Sequence, residues 1–404
     1  MLSPAAALDR VLDALADVAP LPPERVPIGA ALGRALAEDV AAEGPLPAFD
    51  ASTMDGYALR AADARRAGTR LPVAFEVFAG RASAAPLPAR GCCRIYTGAP
   101  LPPGADCVEQ QEQVRRAGRA ATFARAAEVG RFVKPAGSDL AAGDVALRAG
   151  EVVDAGSIGI AAALGRGELA VRRRPRVAIL PTGDEIVPVG RVPALGQIVE
   201  SNGHALCAAV REAGGEPLLL PVARDDAADL ARALAAVRGV DALVTNGGVS
   251  VGSRDLVRQA LSAAGARVDF WRVAMRPGKP FTFGRWGAVA VFGLPGNPAS
   301  ALVGFELFVR PALRALAGLP GSGRLVLPVR LASAQEKPPE LAVYLRVKLR
   351  RDRGDWLAEP LRTQASGHLT SAAGHDALAI LPAGPARLRR GARVDAVVLR
   401  APAG

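Results

Sequence analysis

The sequence is poor in aromatic residues, histidine and cysteine, and each scarcity argues against a class of function. Phe, Trp and Tyr make up 4% of the 404 residues, too few to suggest surfaces on which single-stranded nucleic acids stack. The three histidines form no HExxH pattern. The four cysteines form no CxxC pair, so neither a zinc site nor a disulfide framework is expected. We therefore expect the chemistry to depend on carboxylates, lysines, arginines and backbone amides.

Long apolar runs are absent as well. No uninterrupted stretch reaches the roughly 20 apolar residues that span a bilayer. The opening residues, MLSPAAALDR, lack the basic and apolar regions of a signal peptide. The sequence therefore predicts a cytoplasmic protein with no membrane partner. At about 150 residues per domain, its length predicts two or three domains.

The net charge is +11, which fits either a nucleic-acid binder or a protein with sites for small anions. The positive residues are scattered, and only residues 172–174 form a run of three. A basic face for nucleic acid would need more clustering. We therefore favour anionic small ligands and expect no nucleic-acid partner.

From residue 176 to about residue 319, apolar runs alternate with glycine loops and helical patterns. RVAIL, PLLLPV, DALVT, RVDFWRV and AVAVFG are typical of strands, and helices are predicted over 202–213, over 225–237, up to about 264 and from Asn297 onward. This alternation indicates a doubly wound, mainly parallel sheet with right-handed crossovers. The acids at the start of the second helix, Asp225, Asp226 and Asp229, are interpreted as helix-start residues.

The two flanks differ from this centre. Before residue 176 the chain is rich in Pro and Gly, with short strands and one early helix from Pro4 to Val18. After a Gly/Ser linker, apolar residues alternate over 325–331 and 341–349, which predicts half-buried strands. The predicted fold class is a multidomain α/β plus β protein, with a central doubly wound sheet and β-rich N-terminal and C-terminal domains.

Four loops of the central region carry residues suited to anion chemistry. They are TGDE at Thr182–Glu185, NGGVSVGSRD at Asn246–Asp255, RPGKP at Arg276–Pro280 and LPGNPAS at Leu294–Ser300. In open α/β sheets, ligands bind beyond the carboxyl ends of the strands, so we expect the four loops to meet at one crevice.

Each loop has a physical use at such a crevice. Glycines 247, 248 and 252 allow positive φ and let backbone amides approach a phosphate, and Ser250 adds a hydroxyl. Asn297 begins a helix, whose amino end favours anions. The positive charges are Arg272, Arg276 and Lys279, and carboxylates at Asp184, Glu185 and Asp255 could hold Mg²⁺ beside phosphate oxygens. Together these groups suit a phosphoanhydride bound with a metal.

The N-terminal half contains three unusual stretches, Pro45–Leu59, Ile95–Glu112 and Arg131–Asp144. Acids in or beside turns occur in all three: Asp50, Asp55, Asp106, Glu109 and Asp139. Such acids are either turn formers, because Asp bonds its own backbone there, or functional groups. The residues alone leave both interpretations open.

Read together, these stretches resemble the molybdopterin molybdenumtransferase (MoeA-type) family, which shares its fold with the gephyrin E domain. Seven motifs follow one another in the family's order: SxMDGYA, TGAPLPxGAD, GSDLxxGD, TGDEI, GGVSVGxxD, PGKP and LPGNPxS. They extend from about Pro45 to Ser300, and YLRV and ASGHLTS in the tail fit the family's last domain. Seven motifs in order are highly specific.

The resemblance implies a reaction and a domain arrangement. The reaction is insertion of molybdate into adenylyl-molybdopterin, with Mg²⁺, to give the molybdenum cofactor and AMP. The protein would be a homodimer with its cleft between subunits, and it would contact the pterin adenylyltransferase and molybdoenzyme apoproteins. The implied domains are a split N-terminal domain (1–45 and 142–172), an inserted β-rich domain (46–141), the α/β domain (173–319) and a C-terminal β domain (324–404).

The resemblance also assigns roles to individual residues. The implied catalytic residues are Asp55, Asp139, Glu185, Asp255 and Lys279, with Asp55, Glu185 and Asp255 as metal ligands. The implied substrate-binding residues are Lys134, Thr182, Gly183, Gly247, Gly248, Ser250, Arg272, Arg276, Pro298, Ser300, Arg346 and Ser366.

Three positions depart from the family pattern. The family usually has Lys where Arg276 stands, often has Ser at Asn246, and usually has Asp at Glu200. Arg276 keeps the positive charge and adds a planar fork that can grip an oxyanion. These letters leave open the choice between molybdate and tungstate.

Three other functions are alternatives. A pterin adenylyltransferase shares a related α/β domain, but the long N-terminal half with MDGYA favours the transferase step. A gephyrin-like scaffold would need a dedicated module, which is not expected here, or an exposed apolar groove. A nucleic-acid binder would have an affinity that falls steeply with salt.

Overall fold

The computed structural model describes residues 1–18, 20–83, 85–248, 256–352 and 354–402. The chain forms two compact units. The α/β unit comprises residues 1–24, 33–35 and 170–404, and the β unit comprises residues 25–32 and 36–169.

The described residues include seven α-helices. They are α1 Pro4–Ala16, α2 Ala155–Ala163, α3 Asn202–Glu212, α4 Ala227–Ala235, α5 Leu256–Ala263, α6 Pro298–Gly304 and α7 Arg310–Leu316, with a π-helical segment Phe305–Val309 joining the last two. Short 3₁₀ turns lie at Ile28–Ala31, Ala61–Asp63, Gln111–Gln113 and Leu369–Ser371. Over the residues described, no helix has the length and apolar character needed to cross a bilayer.

The strands are mostly short. In chain order they are β1 Pro23–Pro27, β2 Val40–Ala41, β3 Ala51–Ser52, β4 Gly56–Leu59, β5 Arg70–Val77, β6 Cys92–Ile95, β7 Cys107–Gln110, β8 Val114–Ala117, β9 Ala120–Phe123, β10 Val133–Lys134, β11 Val145–Leu147, β12 Glu168–Arg172, β13 Arg176–Pro181, β14 Ile186–Val187, β15 Ile198–Val199, β16 Glu216–Leu219, β17 Ala242–Asn246, β18 Arg267–Phe270, β19 Met275–Arg276, β20 Thr282–Trp286, β21 Val289–Leu294, β22 Val326–Leu331, β23 Gln335–Glu336, β24 Ala342–Asp352, β25 Asp355–Pro360, β26 Ala377–Leu381, β27 Arg387–Leu388 and β28 Arg393–Val398.

The α/β unit is built on a six-stranded sheet in the order β16-β13-β17-β21-β20-β18. The first four strands are parallel. After Arg176, strand β13 is apolar because both faces of the sheet are covered. Val177 and Ile179 join a core with α1, α3, α6 and α7, whereas Ala178 and Leu180 join a core with α4 and α5. The predicted doubly wound sheet is confirmed.

The far edge of this sheet is antiparallel. Strand β20 pairs antiparallel with β21 and with β18. The sequence analysis did not predict β20, because FTFGRW follows the PGKP loop directly and joins β21 through a tight turn at Gly287. The sheet is therefore parallel at its centre, where the predicted loops lie, and mixed at its edge.

The tail of the chain forms a second sheet of the α/β unit. Its strands follow the order β19-β24-β25-β22-β28-β26, and β26 also pairs with β24, so five strands close on themselves. Alternate residues of β24, such as Leu345, Val347 and Leu349, point into its core. This confirms the predicted β-rich C-terminal region. Strand β19 carries Arg276, so the RPGKP loop is anchored to the tail sheet.

The β unit contains a six-stranded sheet in the order β7-β4-β6-β5-β9-β8. Strand β4 holds GYAL of the MDGYA motif and lies between β6 and β7. Gly56 is required there because an added Cβ would lie 2.1 Å from the Glu109 carbonyl oxygen. The four predicted domain boundaries stay a prediction, whereas the multidomain α/β plus β fold is confirmed.

A buried ion-pair cluster joins the helices of the α/β unit to its tail. Glu306 accepts hydrogen bonds from Arg310 Nε at 2.7 Å and from Arg324 Nε at 2.9 Å. Burial alone would raise the pKa of Glu306, but hydrogen bonds from Arg324 and Arg310 and their charges outweigh it and hold the pKa below its usual 4.5. The cluster therefore stabilises the fold above pH 4.5, and this contribution is lost as the pH falls through the folded pKa.

Replacing Glu306 by glutamine should lower the free energy of unfolding at pH 7 by about 3 kcal/mol, because the buried guanidinium of Arg310 and the half-buried one of Arg324 lose their main partner. Urea titrations between pH 7 and pH 3 would measure it. Glu336→Gln is the control, since Glu336 forms only an exposed pair with Arg387 at 3.9 Å. If the free energy of unfolding fell equally with pH in Glu306→Gln and in the wild type below pH 4.5, this account would be contradicted.

Candidate active site

Two adjoining cavities open at the carboxyl ends of the parallel strands of the α/β unit. The larger, here called the Glu185 cavity, has a volume of about 640 Å³. It is lined by Thr182, Gly183, Glu185, Ile186, Ile198, Val199, Glu200, Ser201, Asn202, Asp225, Gly247, Gly248, Pro280, Pro295, Gly296, Asn297, Pro298, Gly367 and Leu369.

The smaller, here called the Lys279 cavity, has a volume of about 290 Å³. Its lining is Met275, Arg276, Pro277, Gly278, Lys279, Pro280, Pro295, Asn297, Ser300, Leu341, Gln364 and Ser366. Pro280, Pro295 and Asn297 line both cavities, so the two are neighbours.

As expected from the sequence, the described parts of the four loops lie together, around the two cavities. Three residues of TGDE (Thr182, Gly183 and Glu185) and both glycines of NGG line the Glu185 cavity. The RPGKP loop lines the Lys279 cavity, and the LPGNP loop contributes to both. Ser250 and Asp255 lie outside the described residues.

The two glycines after β17 occupy positions where a larger residue would not fit. Gly247 and Gly248 have φ of 97° and 65°, and a Cβ on either would approach another group closely: the Thr182 carbonyl oxygen at 2.5 Å and Val257 Cγ2 at 2.3 Å. The amide of Gly247 donates to the Leu294 carbonyl at 3.1 Å. Our expectation that this amide approaches a phosphate is therefore wrong, since the backbone of β21 already accepts its hydrogen bond.

Asp225 faces the Glu185 cavity, contrary to its interpretation as a helix-start acid. Helix α4 begins two residues later, and Asp226 is its N-cap, accepting hydrogen bonds from the amides of Ala228 and Asp229. Burial raises the pKa of Asp225, and the nearby charges of Asp184 and Glu185 raise it further. The cavity therefore gathers negative charge at Glu185 and Asp225.

Glu200 is a third acid at this cavity and is only 5% exposed. Its Oε1 accepts a hydrogen bond from the Gly203 amide at 2.6 Å, at the start of α3. The longer side chain at this departure from the family pattern thus stabilises the beginning of a helix. Among the described residues, its Oε2 has no hydrogen-bond partner, and His204 Nε2 lies 3.7 Å away.

A pair of asparagines connects three loops of the site. Asn246, buried at the end of β17, donates from Nδ2 to the Pro295 carbonyl at 2.8 Å. Its Oδ1 accepts from Asn202 Nδ2 at 2.9 Å, and that nitrogen also donates to the Gly296 carbonyl at 2.7 Å. The side chains hold the LPGNP loop against the end of β17 and the start of α3.

We expect Asn246→Ala to lower the free energy of unfolding by about 1–3 kcal/mol, since it leaves the Pro295 carbonyl without this partner and removes one of the two hydrogen bonds that the Asn202 amide donates. Urea titration of Asn246→Ala, Asn202→Ala and the double variant tests the connection. Because the two side chains share a hydrogen bond, the single effects should not add. Additive effects would contradict the pairing.

Ser366 of the tail contacts the start of α6. Asn297 is the N-cap as predicted, but its Nδ2 donates to Ser366 Oγ at 3.0 Å instead of its side chain capping the helix. The Ser366 carbonyl accepts from the Ala299 amide at 3.1 Å. The predicted residues Pro298, Ser300 and Ser366 are thus brought together with Lys279 and Arg276 around the two cavities.

Arg272 and Arg346 line neither of these cavities. The Arg272 guanidinium lies over the Trp271 ring, 3.9 Å from its centroid. Arg346 is 1% exposed and lines a separate cavity of about 390 Å³ together with His375. Burial, and next the charges of Arg346 and Arg400, lower the pKa of His375 to about 4. That histidine is therefore neutral at pH 7.

The remaining predicted residues belong to the β unit. Asp55 Oδ1 accepts hydrogen bonds from both the amide and the hydroxyl of Thr97, each at 2.8 Å. The hydrogen bond from the amide is the main reason that the pKa of Asp55 is lowered. Thr97 was not singled out from the sequence, although it lies in the TGAPLPxGAD motif. Lys134 Nζ and Asp139 Oδ2 form an ion pair at 2.6 Å.

Three family models match the chain in order. The model of the MoeA N-terminal region (domains I and II) matches residues 2–165, that of a probable molybdopterin-binding domain matches 178–315, and that of the MoeA C-terminal region (domain IV) matches 328–399. Molybdopterin molybdenumtransferase 1 of Mycobacterium tuberculosis is 35% identical over 95% of this chain and 96% of its own length. The enzyme named molybdopterin molybdenumtransferase of Bacillus subtilis is 34% identical, covering 93% and 90%.

A solved structure of a MoeA protein is also similar to this chain. The molybdopterin biosynthesis MoeA protein from Pyrococcus horikosii superposes with a TM-score of 0.84 at 34% identity, covering 98% of this chain and 99% of its own. The family resemblance inferred from seven motifs is confirmed by these matches. Three family models in order and full-length relatives at 34–35% identity show that this chain belongs to the MoeA family.

Proposed function

We propose that the two adjoining cavities are the active site of a molybdopterin molybdenumtransferase, which inserts molybdate into adenylyl-molybdopterin and releases AMP. The chain is a transferase of molybdenum cofactor biosynthesis, as its full-length relatives are named. The observation that carries the site assignment is the contiguity of the cavities. A small basic cavity shares three wall residues with a large acidic one, so two ligands could be held side by side.

The Lys279 cavity suits a tetrahedral dianion. Lys279 and Arg276 supply two positive charges, which match the charge of MoO₄²⁻. The hydroxyls of Ser300 and Ser366 add hydrogen-bond donors on the same wall. Arg276, in place of the family's usual lysine, presents several donors in one plane, so it suits two oxygens of the same anion.

The Glu185 cavity suits the larger substrate. Ile186, Ile198 and Val199 provide apolar lining, and Glu185 and Asp225 provide carboxylates to the same cavity. The cavity falls within the usual range for small-molecule sites, roughly 300–1,000 Å³. We assign the phosphoanhydride region of adenylyl-molybdopterin to this cavity.

The carboxylates fit Mg²⁺. Burial, and next the charges of Asp184 and Glu185, raise the pKa of Asp225, so this cavity brings carboxylates together, and carboxylate oxygens are ligands that Mg²⁺ prefers. No group of three acidic, histidine or cysteine side chains forms a ready-made metal site in the described part of the chain. We therefore propose that Glu185 and Asp225, with Asp255, hold Mg²⁺ together with substrate phosphates, where it would neutralise anhydride charge.

The residues of this chain act mainly by positioning the two substrates and by balancing their negative charge. Lys279 and Arg276 would keep molybdate beside the two dithiolene thiols, so that both sulfur–molybdenum bonds form between bound partners, while the two thiol protons leave with one molybdate oxygen as water. Such positioning can contribute several kcal/mol. Cleavage of the anhydride bond between the two phosphates adds water across it and releases AMP.

The β unit would contribute Asp55, Lys134 and Asp139. We propose that the chain works as a cytoplasmic homodimer in which these residues reach the cleft of the other subunit. The pterin adenylyltransferase, which would deliver the substrate, and molybdoenzyme apoproteins, which would receive the product, are proposed partners.

The reaction can be tested with the purified full chain, adenylyl-molybdopterin, Mg²⁺ and molybdate. Product formation is measured by reconstitution of an apo-molybdoenzyme. Active molybdoenzyme would support the transferase function. ATP-dependent adenylylation of free molybdopterin, without reconstitution, would instead assign the chain to the preceding step.

A further inference from the structure

Aromatic side chains are concentrated beside Asp55. The chain contains three tyrosines, and two of them, Tyr57 and Tyr96, lie on or next to the strands that flank this aspartate. The Arg94 guanidinium lies over both rings, 5.1 Å from the centroid of Tyr57 and 5.2 Å from that of Tyr96. In a protein with so few aromatic residues, such clustering needs an explanation.

Phe78 extends this cluster towards solvent. Its ring stacks on that of Tyr96 with centroids 4.8 Å apart and planes 11° from parallel. Yet Phe78 is 46% exposed, and Tyr96 is its one ring neighbour in the described part of the chain. One face of the phenyl ring is therefore supported by Tyr96, and much of the remaining surface is open to water.

The support beneath Phe78 is itself held in place. The Tyr96 ring is contacted both by the Phe78 ring and by the cation of Arg94. The Arg94 side chain is held by a hydrogen bond to Gln111 Oε1, and the Tyr96 hydroxyl lies 3.4 Å from Glu76 Oε2. A scattered surface phenylalanine needs no explanation. A parallel stack braced by a cation and hydrogen bonds is an ordered flat surface.

This surface lies next to a predicted functional group. Tyr96 directly precedes Thr97, whose amide and hydroxyl both hold Asp55 Oδ1 at 2.8 Å. Residue 79 follows Phe78, and its Cβ lies 3.9 Å from where a Cβ on Gly98 would be. The segments 78–79 and 96–98 are therefore adjacent, and Phe78 lies in the same part of the β unit as the contact between Thr97 and Asp55.

We infer that Phe78, supported by Tyr96 and Arg94, is a stacking surface for a flat heteroaromatic ring of the substrate. This inference rests on the proposed function, because adenylyl-molybdopterin carries two such rings, a pterin and an adenine. Stacking needs only a planar π face, which both rings have. The surface thus adds a binding contact to the Asp55 region and leaves the chemical step to other residues.

The test uses the full chain and three variants of Phe78. Phe78→Ala removes the surface, Phe78→Leu keeps apolar area without a π face, and Phe78→Trp enlarges the π face. Val129→Ala is the control, since it removes an exposed apolar side chain from the same unit. Dissociation constants are measured for adenylyl-molybdopterin, for molybdopterin and for AMP, together with kcat and KM for AMP release.

We expect Phe78→Ala and Phe78→Leu to weaken adenylyl-molybdopterin binding roughly 10-fold, the scale of one base–aromatic stack, while Phe78→Trp binds as well as the wild type. KM should rise with kcat unchanged, because stacking stabilises ground and transition states alike. A parallel loss for AMP identifies adenine as the stacked ring, and a parallel loss for molybdopterin identifies the pterin.

Two results would overturn the inference. One is wild-type binding by Phe78→Ala, and the other is equal binding by Phe78→Leu and the wild type, which would indicate plain apolar contact. Both results require a wild-type protein that binds adenylyl-molybdopterin and turns it over, with which the variants are compared. Failure of the proposed function would appear differently, as absent turnover in the wild type itself.

Discussion

Lys279→Met should raise the molybdate concentration needed for half-maximal AMP release roughly 10- to 100-fold, with little change in stability. A hydrogen bond to a charged group contributes about 1.5–3 kcal/mol, and Lys279 provides one of two cations in its cavity. Its side chain forms no salt bridge among the described residues, so its removal leaves no partner unpaired. The measurement is the initial rate of AMP release against molybdate concentration.

Arg350→Met is the matched control for loss of one positive charge. Arg350 belongs to the same unit, but it pairs with Glu359 at 2.9 Å and lines neither cavity. This control should retain the wild-type molybdate dependence. An unchanged molybdate dependence in Lys279→Met would remove Lys279 from the anion site.

Glu185→Gln should lower turnover at least 100-fold while the protein stays as stable as the wild type or becomes slightly more stable. The loss is expected because a carboxylate proposed to hold Mg²⁺ is neutralised, and removal of a comparable electrostatic contact costs about 10²–10³ in rate. The stability prediction follows from the raised pKa of Asp225, to which the Glu185 charge contributes. Relief of that repulsion favours the folded state.

The change in Asp225 can be followed directly. In Glu185→Gln its pKa should fall towards the usual value, and carboxyl titration by NMR would measure the shift. Glu216→Gln is the control, since Glu216 is exposed and pairs distantly with Arg176 at 3.8 Å. Wild-type turnover in Glu185→Gln would exclude Glu185 from the chemistry.

The loops of the site were predictable because their motifs are local. TGDE and LPGNP each follow a short apolar strand of the central sheet, whose parallel strands bring their carboxyl ends to one edge, whereas PGKP follows β19 of the tail sheet. Gly247 and Gly248 were also recognisable, since their backbone angles suit glycine alone. In these cases neighbouring residues determine the structure, so the sequence carries the information.

Residues whose role depends on a distant contact were harder to predict. Asp225 and Asp226 look alike in the sequence, yet one lines the Glu185 cavity and the other caps α4, because the helix begins after the second. The bond from Asn246 to Pro295 joins residues 49 positions apart. Arg346 fits the motif YLRV, but its buried position beside His375 depends on how the tail sheet closes.

The most direct test of the two-cavity site is molybdate-dependent AMP release by the purified chain with adenylyl-molybdopterin and Mg²⁺. The wild type should release AMP in proportion to cofactor formed, and the double variant Arg276→Met, Lys279→Met should need far more molybdate for the same rate. A folded wild-type protein that releases no AMP when molybdate is present, or a double variant with the wild-type molybdate dependence, would contradict the account.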